Sequence, residues 1–229
     1  MKTNDKLRLL KKMPLFSTLP ESDLVRLTEL MQDHILPRYS YVYEHGQPAQ
    51  QVFLLAQGSL KIANHNAEGK EVIKQLIHPE AIFGERTLLG EKTRQDSAQS
   101  LREPVHYCAI DALEFRKLMQ QNPCLNEEIL QLFGQRLLVA EQMLENVIFK
   151  DARSRIIDFL REVVQQRGHP VGYEMLLKHS LTHQDIANIT CTSRQTVTLV
   201  FNELKRDNLI HFNRGRILVR DLQQLEASA

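Results

Sequence analysis

The stretch that decides the fold lies near the C-terminus and reads LTHQDIANITCTSRQTVTLVFNEL, residues 181–204. Thr182 is followed three residues later by Asp185, which is the spacing of a helix-capping box with a short acid. Thr192 and Gln195 repeat this spacing and predict a second capping box at the start of a longer helix. Two short capped helices joined by about four residues predict a helix-turn-helix.

The second helix and the segment after it carry candidate DNA-contacting groups. The polar face of the helix is expected to expose Ser193, Arg194, Gln195 and Thr198. An arginine can donate two hydrogen bonds to guanine O6 and N7, and a glutamine can pair with adenine. Residues 209–219 predict a β-hairpin with a basic tip, formed by Arg214 and Arg216, which is placed to touch phosphate as a wing. Together these features predict a DNA-reading module.

Composition indicates a globular protein with ordinary hydrophobic content. The chain has 229 residues, of which 42% are hydrophobic and 25% charged, and this length allows one or two domains. The longest apolar run, residues 52–56, is far shorter than the roughly 20 residues of a membrane span. The charged N-terminus does not look like a secretion signal. We therefore expect a bacterial cytoplasmic protein that does not enter a membrane.

Charge is divided unevenly along the chain. Residues 150–229 hold 12 Lys and Arg against 9 Asp and Glu, whereas residues 1–149 hold 17 against 19. The asymmetry is mild, but its sign favours a polyanionic partner for the C-terminal part.

The N-terminal part changes from helical to β-type patterning. Residues 5–32 read as helical, with Pro20 opening a second helix. From residue 35 to residue 110 short runs of strand type are broken by turn signals; they are 39–43, 52–55, 60–63 and 72–77. The sequence Ala67-Glu68-Gly69-Lys70 reads as a hairpin turn. Such spacing predicts a β-sandwich or a small barrel.

A long helix follows the β-region and carries apolar residues at alternating spacings of three and four. They are Leu130, Phe133, Leu137, Ala140, Leu144 and Val147. This stripe is typical of a coiled-coil seam, which would make the protein a dimer. The alternative is a single amphipathic helix lying on its own domain. We favour the seam because a strict stripe is narrower than an ordinary core-facing one.

The motifs described above resemble those of the cyclic-AMP receptor / fumarate–nitrate regulator (CRP/FNR) family. Residues 181–204, with Asn208-Leu209-Ile210, are similar to its DNA-binding domain. Gly46-Gln47-Pro48-Ala49, with Phe53-Leu54-Leu55 and Gly58, looks like its β-roll, and Phe83-Gly84-Glu85 looks like the start of its phosphate-binding cassette.

The resemblance implies an α+β fold in three parts. These are a β-roll effector domain at residues 1–121, similar to a cyclic-nucleotide-binding jelly roll, a dimerisation helix at 122–150, and a winged helix-turn-helix at 151–229. It further implies a homodimeric regulator that reads palindromic double-stranded DNA and contacts RNA polymerase. Gln184 would contact phosphate, while Arg194 and Gln195 would read bases. The full set of expected DNA-contacting residues is Gln184, Thr192, Ser193, Arg194, Gln195, Thr198, Arg214 and Arg216.

The expected effector pocket is degenerate. Gly84, Glu85 and Ser97 match the cassette of nucleotide-binding members, but Asp96 stands where those members have a phosphate-pairing arginine. A carboxylate repels a phosphodiester in a partly desolvated pocket. Ala140 and Glu141 occupy the long-helix positions where adenine-recognising members have hydroxyl residues. Cyclic AMP is therefore not the expected effector, and the effector stays unknown.

Other sensor chemistries have weaker support. No cysteine precedes Cys108, so the clustered N-terminal ligands of an iron–sulfur branch are missing, and no cofactor or metal is expected. Haem remains open, with candidate ligands His45, His65, His78 and His106 that also read as surface or hydrogen-bonded residues. Cys108 reads as a small packing residue. Cys191 stands where the family usually has glycine, and a redox role for its thiol is the alternative to a structural one.

Two other function classes were compared with a DNA-binding regulator. An enzyme is not expected, because no nucleophile–base set and no metal-ligand spacing occurs in the sequence. The alternative is a cyclic-nucleotide or other small-molecule receptor whose winged helix contacts a protein instead of DNA.

Overall fold

The computed structural model describes residues 1–228 and begins with a small helical layer. Helices α1 (Thr3–Lys12) and α2 (Glu21–Leu30) flank a short 3₁₀ turn at Pro14–Phe16. Apolar residues of this layer, such as Leu10 and Leu27, are fully buried in one cluster with residues of the following strands. The predicted helical start of the chain is confirmed.

Eight strands follow and form two antiparallel sheets. The strands are β1 (Gln32–Leu36), β2 (Tyr41–Tyr43), β3 (Gln51–Gln57), β4 (Leu60–His65), β5 (Glu71–Ile77), β6 (Ala81–Phe83), β7 (Ser97–Ser100) and β8 (Val105–Asp111). One sheet has the order β1-β8-β3-β6 and the other β2-β7-β4-β5. Phe53, Phe83 and Tyr107 lie in a buried aromatic cluster with ring centroids 5.1 to 6.3 Å apart. The predicted β-domain is confirmed.

Two helices leave the β-region. Asp111 accepts hydrogen bonds from the amides of Leu113 and Glu114 and so begins α3 (Ala112–Gln121). The next helix, α4 (Pro123–Phe149), is 27 residues long. Its early residues Leu125 and Ile129 are buried in the N-terminal cluster, whereas its later part is exposed on most sides.

The C-terminal region combines four helices with a third sheet. Its elements are α5 (Ala152–Arg167), β9 (His169–Val171), β10 (Glu174–Lys178), α6 (His183–Ile189), α7 (Arg194–Arg206), β11 (Ile210–Asn213), β12 (Arg216–Val219) and α8 (Leu222–Ala227). The sheet has the order β11-β12-β10-β9. Residues 168–170 were predicted only as a helix break, and β9 and β10 were not predicted. The reason is that Pro170 suppresses a strand signal and β10 (EMLLK) has helix-type composition.

The chain packs into two compact units. One contains residues 1–68 and 74–139, and the other contains residues 69–73 and the chain from Ala140 onward.

Candidate nucleic-acid interface and effector pocket

Helix α6 begins at the capping box that the sequence predicts. Thr182 Oγ1 accepts a hydrogen bond from the Asp185 amide at 3.0 Å, and Asp185 Oδ2 accepts one from the Thr182 amide at 2.7 Å. Ile186 and Ala187 are buried, so one side of this short helix is anchored in the unit. Gln184 lies on the exposed side, where its amide donates to Asn188 Oδ1 at 2.8 Å.

The turn between α6 and α7 passes through a left-handed residue. Cys191 has φ 51°, a conformation that costs a non-glycine residue about 1 kcal/mol or more. Arg155 of α5 donates hydrogen bonds to the carbonyl oxygens of Thr190 (2.8 Å) and Cys191 (3.1 Å). These two bonds hold the turn in place. Arg155 was not predicted, because nothing in its local sequence pattern distinguishes it from a surface arginine.

The predicted capping box at Thr192 and Gln195 is wrong by one residue. The N-cap of α7 is Ser193, whose hydroxyl accepts a hydrogen bond from the Thr196 amide at 3.0 Å. Thr192 instead closes the turn by donating its amide to the carbonyl of Ala187 at 2.9 Å. Because the residue three after Ser193 is a threonine, the reciprocal glutamine contact of a capping box does not form.

Helix α7 separates a buried side from an outward one. Val197, Val200, Phe201 and Leu204 are buried. Arg194 and Gln195 are exposed in the first turn, together with the capping Ser193. Thr198 is half-buried, donates its hydroxyl to the Arg194 carbonyl at 2.9 Å, and lies 3.0 Å from Nδ1 of His183. Leu199, which was not among the predicted contact residues, is also exposed on this helix.

His183 joins α6 to the outward helix and to the wing. Its ring packs near Phe201 of α7, with centroids 4.9 Å apart, and near Phe212 of β11 at 5.9 Å. Burial, followed by the positive charge of Arg194, lowers the pKa of His183.

The predicted wing is present. Strands β11 and β12 pair antiparallel, with Asn213 opposite Arg216. Gly215 at the tip has φ 78° and its carbonyl accepts the His179 amide at 3.0 Å. Arg214 and Arg216 are both exposed, so two guanidinium groups project from the hairpin tip.

The expected effector pocket has a glycine in the left-handed backbone region and a buried glutamate. Gly84 has φ 68°, and a Cβ there would lie 2.8 Å from the Phe53 ring, so only glycine fits. Glu85 is 2% exposed and its Oε1 accepts a hydrogen bond from Arg136 of α4, which also donates to the Ile82 carbonyl at 2.8 Å. Within residues 1–228, no hydrogen-bond partner reaches Glu85 Oε2.

Asp96 is compensated by groups of its own unit. Its Oδ2 accepts from Arg86 at 3.0 Å and from Lys74 at 3.3 Å, and its Oδ1 accepts from the Tyr43 hydroxyl at 3.3 Å. Burial, and then the Asp96 charge, raises the pKa of Tyr43. Ser97, the third pocket residue, donates its hydroxyl to the Ala63 carbonyl at 3.2 Å.

Arg94, two residues before Asp96, has a structural role. Its guanidinium is 2% exposed, donates to the Gly84 carbonyl at 2.8 Å, and lies 4.4 Å from the centroid of the Tyr43 ring. Burial lowers the pKa of Arg94. Its Nη1 and Nη2 atoms therefore donate to backbone carbonyls, of Gly84 and Gln51, whereas its Nε has no partner among the described residues.

The candidate sensor histidines differ in their surroundings. His45 and His65 are on the surface, His78 is 3.5 Å from the Ser59 hydroxyl, and His106 is 3.5 Å from Asp33. Burial lowers the pKa of His106. In the described part of the chain, no group of three His, Cys, Asp or Glu side chains is arranged to hold a metal ion.

Cys108 and Cys191, for which the sequence predicts roles, lie in different environments. Cys108 is fully buried in β8, with its Sγ 3.3 Å from Asp33 Oδ1, which confirms it as a packing residue. Cys191 is exposed in the turn described above.

Most of the predicted seam residues of α4 are exposed in the single chain. They are Leu130, Leu137, Ala140, Leu144 and Val147. Phe133 differs, because it is partly buried against the N-terminal cluster of its own unit.

Two family models match the chain, one in its N-terminal half and one in its C-terminal part. Residues 34–122 match the model of the cyclic nucleotide-binding domain, and residues 154–228 match that of the Crp-like helix-turn-helix domain. In the described residues, no helix is both long and apolar enough to cross a membrane.

Curated relatives align with most of the chain. The chain is 25% identical over 221 residues to a CRP-like cAMP-activated global transcriptional regulator of Mycobacterium tuberculosis, covering 96% of this chain and 98% of that protein. It is 28% identical over 179 residues to the global nitrogen regulator of Synechococcus elongatus, covering 78% and 81%.

Among solved structures, FixK2 from Bradyrhizobium japonicum has a similar fold. The TM-score is 0.77 at 17% identity, and the match covers 86% of this chain and 96% of that one. With both domain models matched in order and relatives that align over nearly the whole chain, the protein belongs to the CRP/FNR family and is a DNA-binding transcription regulator, not an enzyme.

Proposed function

We propose that the protein is a homodimer that binds a near-palindromic operator with α7 of each subunit in the major groove. The observation that carries this proposal is the outward side of α7, where Arg194 and Gln195 are exposed in the first turn. The N-terminal residues of a recognition helix are the ones that meet base edges. The arginine fork suits guanine, and the glutamine amide suits adenine.

The remaining predicted contacts are of two kinds, those near the DNA bases and those to the DNA backbone. Ser193, Thr192 and Thr198 lie around the start of α7, and Gln184 lies on the exposed side of α6. Arg214 and Arg216 sit on the wing, where they would bind phosphate without reading sequence. This division is supported by the exposure of both arginines.

The dimer is proposed to form along α4. Leu130, Leu137 and Leu144 recur at seven-residue intervals, and all three are more than half exposed in the single chain. Phe133, Ala140 and Val147 would supply the other row of the seam. Water-exposed leucines in a strict heptad favour burial against a second helix. A two-fold axis along such a seam would set two half-sites about one helical turn apart.

The effector is proposed to be something other than cyclic AMP. The pocket positions Gly84, Glu85 and Ser97 are retained, but Asp96 puts a carboxylate where a phosphodiester would need a cation. Arg86 and Lys74 are committed to Asp96, so these nearby cations do not offer free charge to a phosphate. Activation by cAMP is stated for the mycobacterial relative, and we do not extend it to this chain.

We also propose a role for each segment of the chain, a cellular compartment and a protein partner, all of which follow from the family's role in transcription. The three-part division at residues 1–121, 122–150 and 151–229 assigns sensing, dimerisation and DNA binding to successive segments. A regulator of transcription would act in the cytoplasm and would contact RNA polymerase at its promoters.

The test is a binding-site selection at matched salt on wild type, Arg194→Ala and Arg214→Ala. We expect Arg194→Ala to cost roughly 1–3 kcal/mol per half-site and to flatten the preference at one base pair. Arg214→Ala should weaken all sequences about equally and reduce the salt dependence, because it removes a phosphate contact. An unchanged sequence preference for Arg194→Ala would mean that α7 docks differently. A weak salt dependence for wild type would favour the receptor whose winged helix contacts protein.

A further inference from the structure

Helix α7 presents one apolar side chain on its outward side. Leu199 is 60% exposed, whereas the other aliphatic residues of the helix, Val197, Val200 and Leu204, are buried. A leucine left in water at this position loses the burial that stabilises its neighbours, roughly 25 cal/mol per Å² of apolar surface. Packing within the unit therefore gives Leu199 no role.

Leu199 lies beside the residues proposed to read bases. It follows Gln195 by four residues, so the two side chains are neighbours on the helix surface, with Cβ atoms about 5–6 Å apart. Thr198, the preceding residue, has its hydroxyl engaged by the Arg194 carbonyl and by His183. The next outward group along the helix is thus apolar, and it has no hydrogen bond to offer to a base edge.

We propose that Leu199 is a specificity-determining residue that contacts the C5-methyl group of a thymine in each half-site. The thymine methyl is the apolar group that the major groove displays, and aliphatic side chains distinguish thymine from cytosine through it. Contact would remove apolar surface of both partners from water. The inference rests on the proposed docking of α7 in the major groove, and it places an A·T pair next to the position contacted by Gln195.

The experiment uses the full-length protein and the operator obtained by selection. Each thymine of one half-site is replaced in turn by deoxyuridine, which removes only the methyl group. For wild type we expect one position at which the replacement weakens binding about three- to four-fold, as for the loss of one buried methyl-sized group. Leu199→Ala should bind the thymine and uracil operators equally well at that position. Leu113→Ala, which truncates an equally exposed leucine (63%) on α3, should keep the wild-type response.

The outcomes separate this inference from the docking on which it rests. If wild type tolerates uracil at every position while Arg194→Ala still erases one base preference, the docking stands and the role of Leu199 is refuted. If Leu199→Ala keeps the wild-type penalty for uracil, another residue contacts the methyl group and the inference is wrong. If Arg194→Ala leaves every base preference unchanged, the docking itself fails and the inference fails with it.

Discussion

Replacing Arg136 by methionine should destabilise the N-terminal unit strongly. The substitution keeps an unbranched apolar stem but removes the guanidinium that pairs with Glu85. Glu85 is 2% exposed, and its Oε2 already has no partner among the described residues. Its carboxylate would then be buried without the cation that is hydrogen-bonded to it. Removing one partner of a buried ion pair typically costs about 3–5 kcal/mol. The lost bond to the Ile82 carbonyl adds about 1 kcal/mol.

Urea unfolding, monitored by far-ultraviolet circular dichroism, measures this loss as a change in the free energy of unfolding of the N-terminal unit. Lys11→Met is the matched control, because it breaks an ion pair with Glu21 in the same unit at 2.6 Å, with both side chains at least half exposed. Exposed pairs contribute about 0–1 kcal/mol, so the control should change little.

A double-mutant cycle with Glu85→Gln tests the cause. Glutamine removes the buried charge, so Arg136→Met should cost at least about 1 kcal/mol less in that background than in wild type. A loss below about 1 kcal/mol for Arg136→Met alone would refute the reasoning. So would equal losses in both backgrounds, since the pair would then contribute nothing specific.

The remaining predictions concern assembly, effector and pH. Leu137→Glu combined with Leu144→Glu should split the dimer by burying unpaired charge in the seam; sedimentation of an intact dimer would contradict the seam. Calorimetry should detect no micromolar binding of cyclic AMP, and Asp96→Arg should lower the stability of the fold because it sets three cations together; tight binding by wild type would overturn the effector proposal. The lowered pKa of His183 means that the folded state favours the neutral ring. Its stabilising contribution is therefore present above the unfolded pKa of about 6.5 and is lost as pH falls below it. Urea unfolding at pH 7.5 and 5.0 should accordingly show a smaller acid-induced loss for His183→Phe than for wild type, and equal losses would exclude His183 as the cause.

The sequence by itself determined the features that depend on neighbours at fixed offsets. The capping box at Thr182 and Asp185, the wing hairpin and the apolar side of α7 all follow from residues within nine positions of one another. Such contacts are set by backbone geometry that hardly varies between proteins. The misassigned cap at Thr192 marks the limit of this reasoning, because two adjacent hydroxyl residues compete and the closing of the turn selects Ser193.

Only the tertiary structure decided how the charges of the pocket are balanced. Glu85 pairs with Arg136, 51 residues away, and Asp96 pairs with Lys74, 22 residues away. The sequence identified Asp96 as a repulsive group, yet its compensation depends on how two strands of one sheet, which carry Tyr43 and Lys74, and the 3₁₀ turn that carries Arg86 come together. Arg155 likewise holds the turn at Cys191 from a different helix. The partner of a buried charge is fixed by chain packing and not by sequence spacing. Burial penalises an unpaired charge, and the fold decides which opposite charge lies close enough to pair with it.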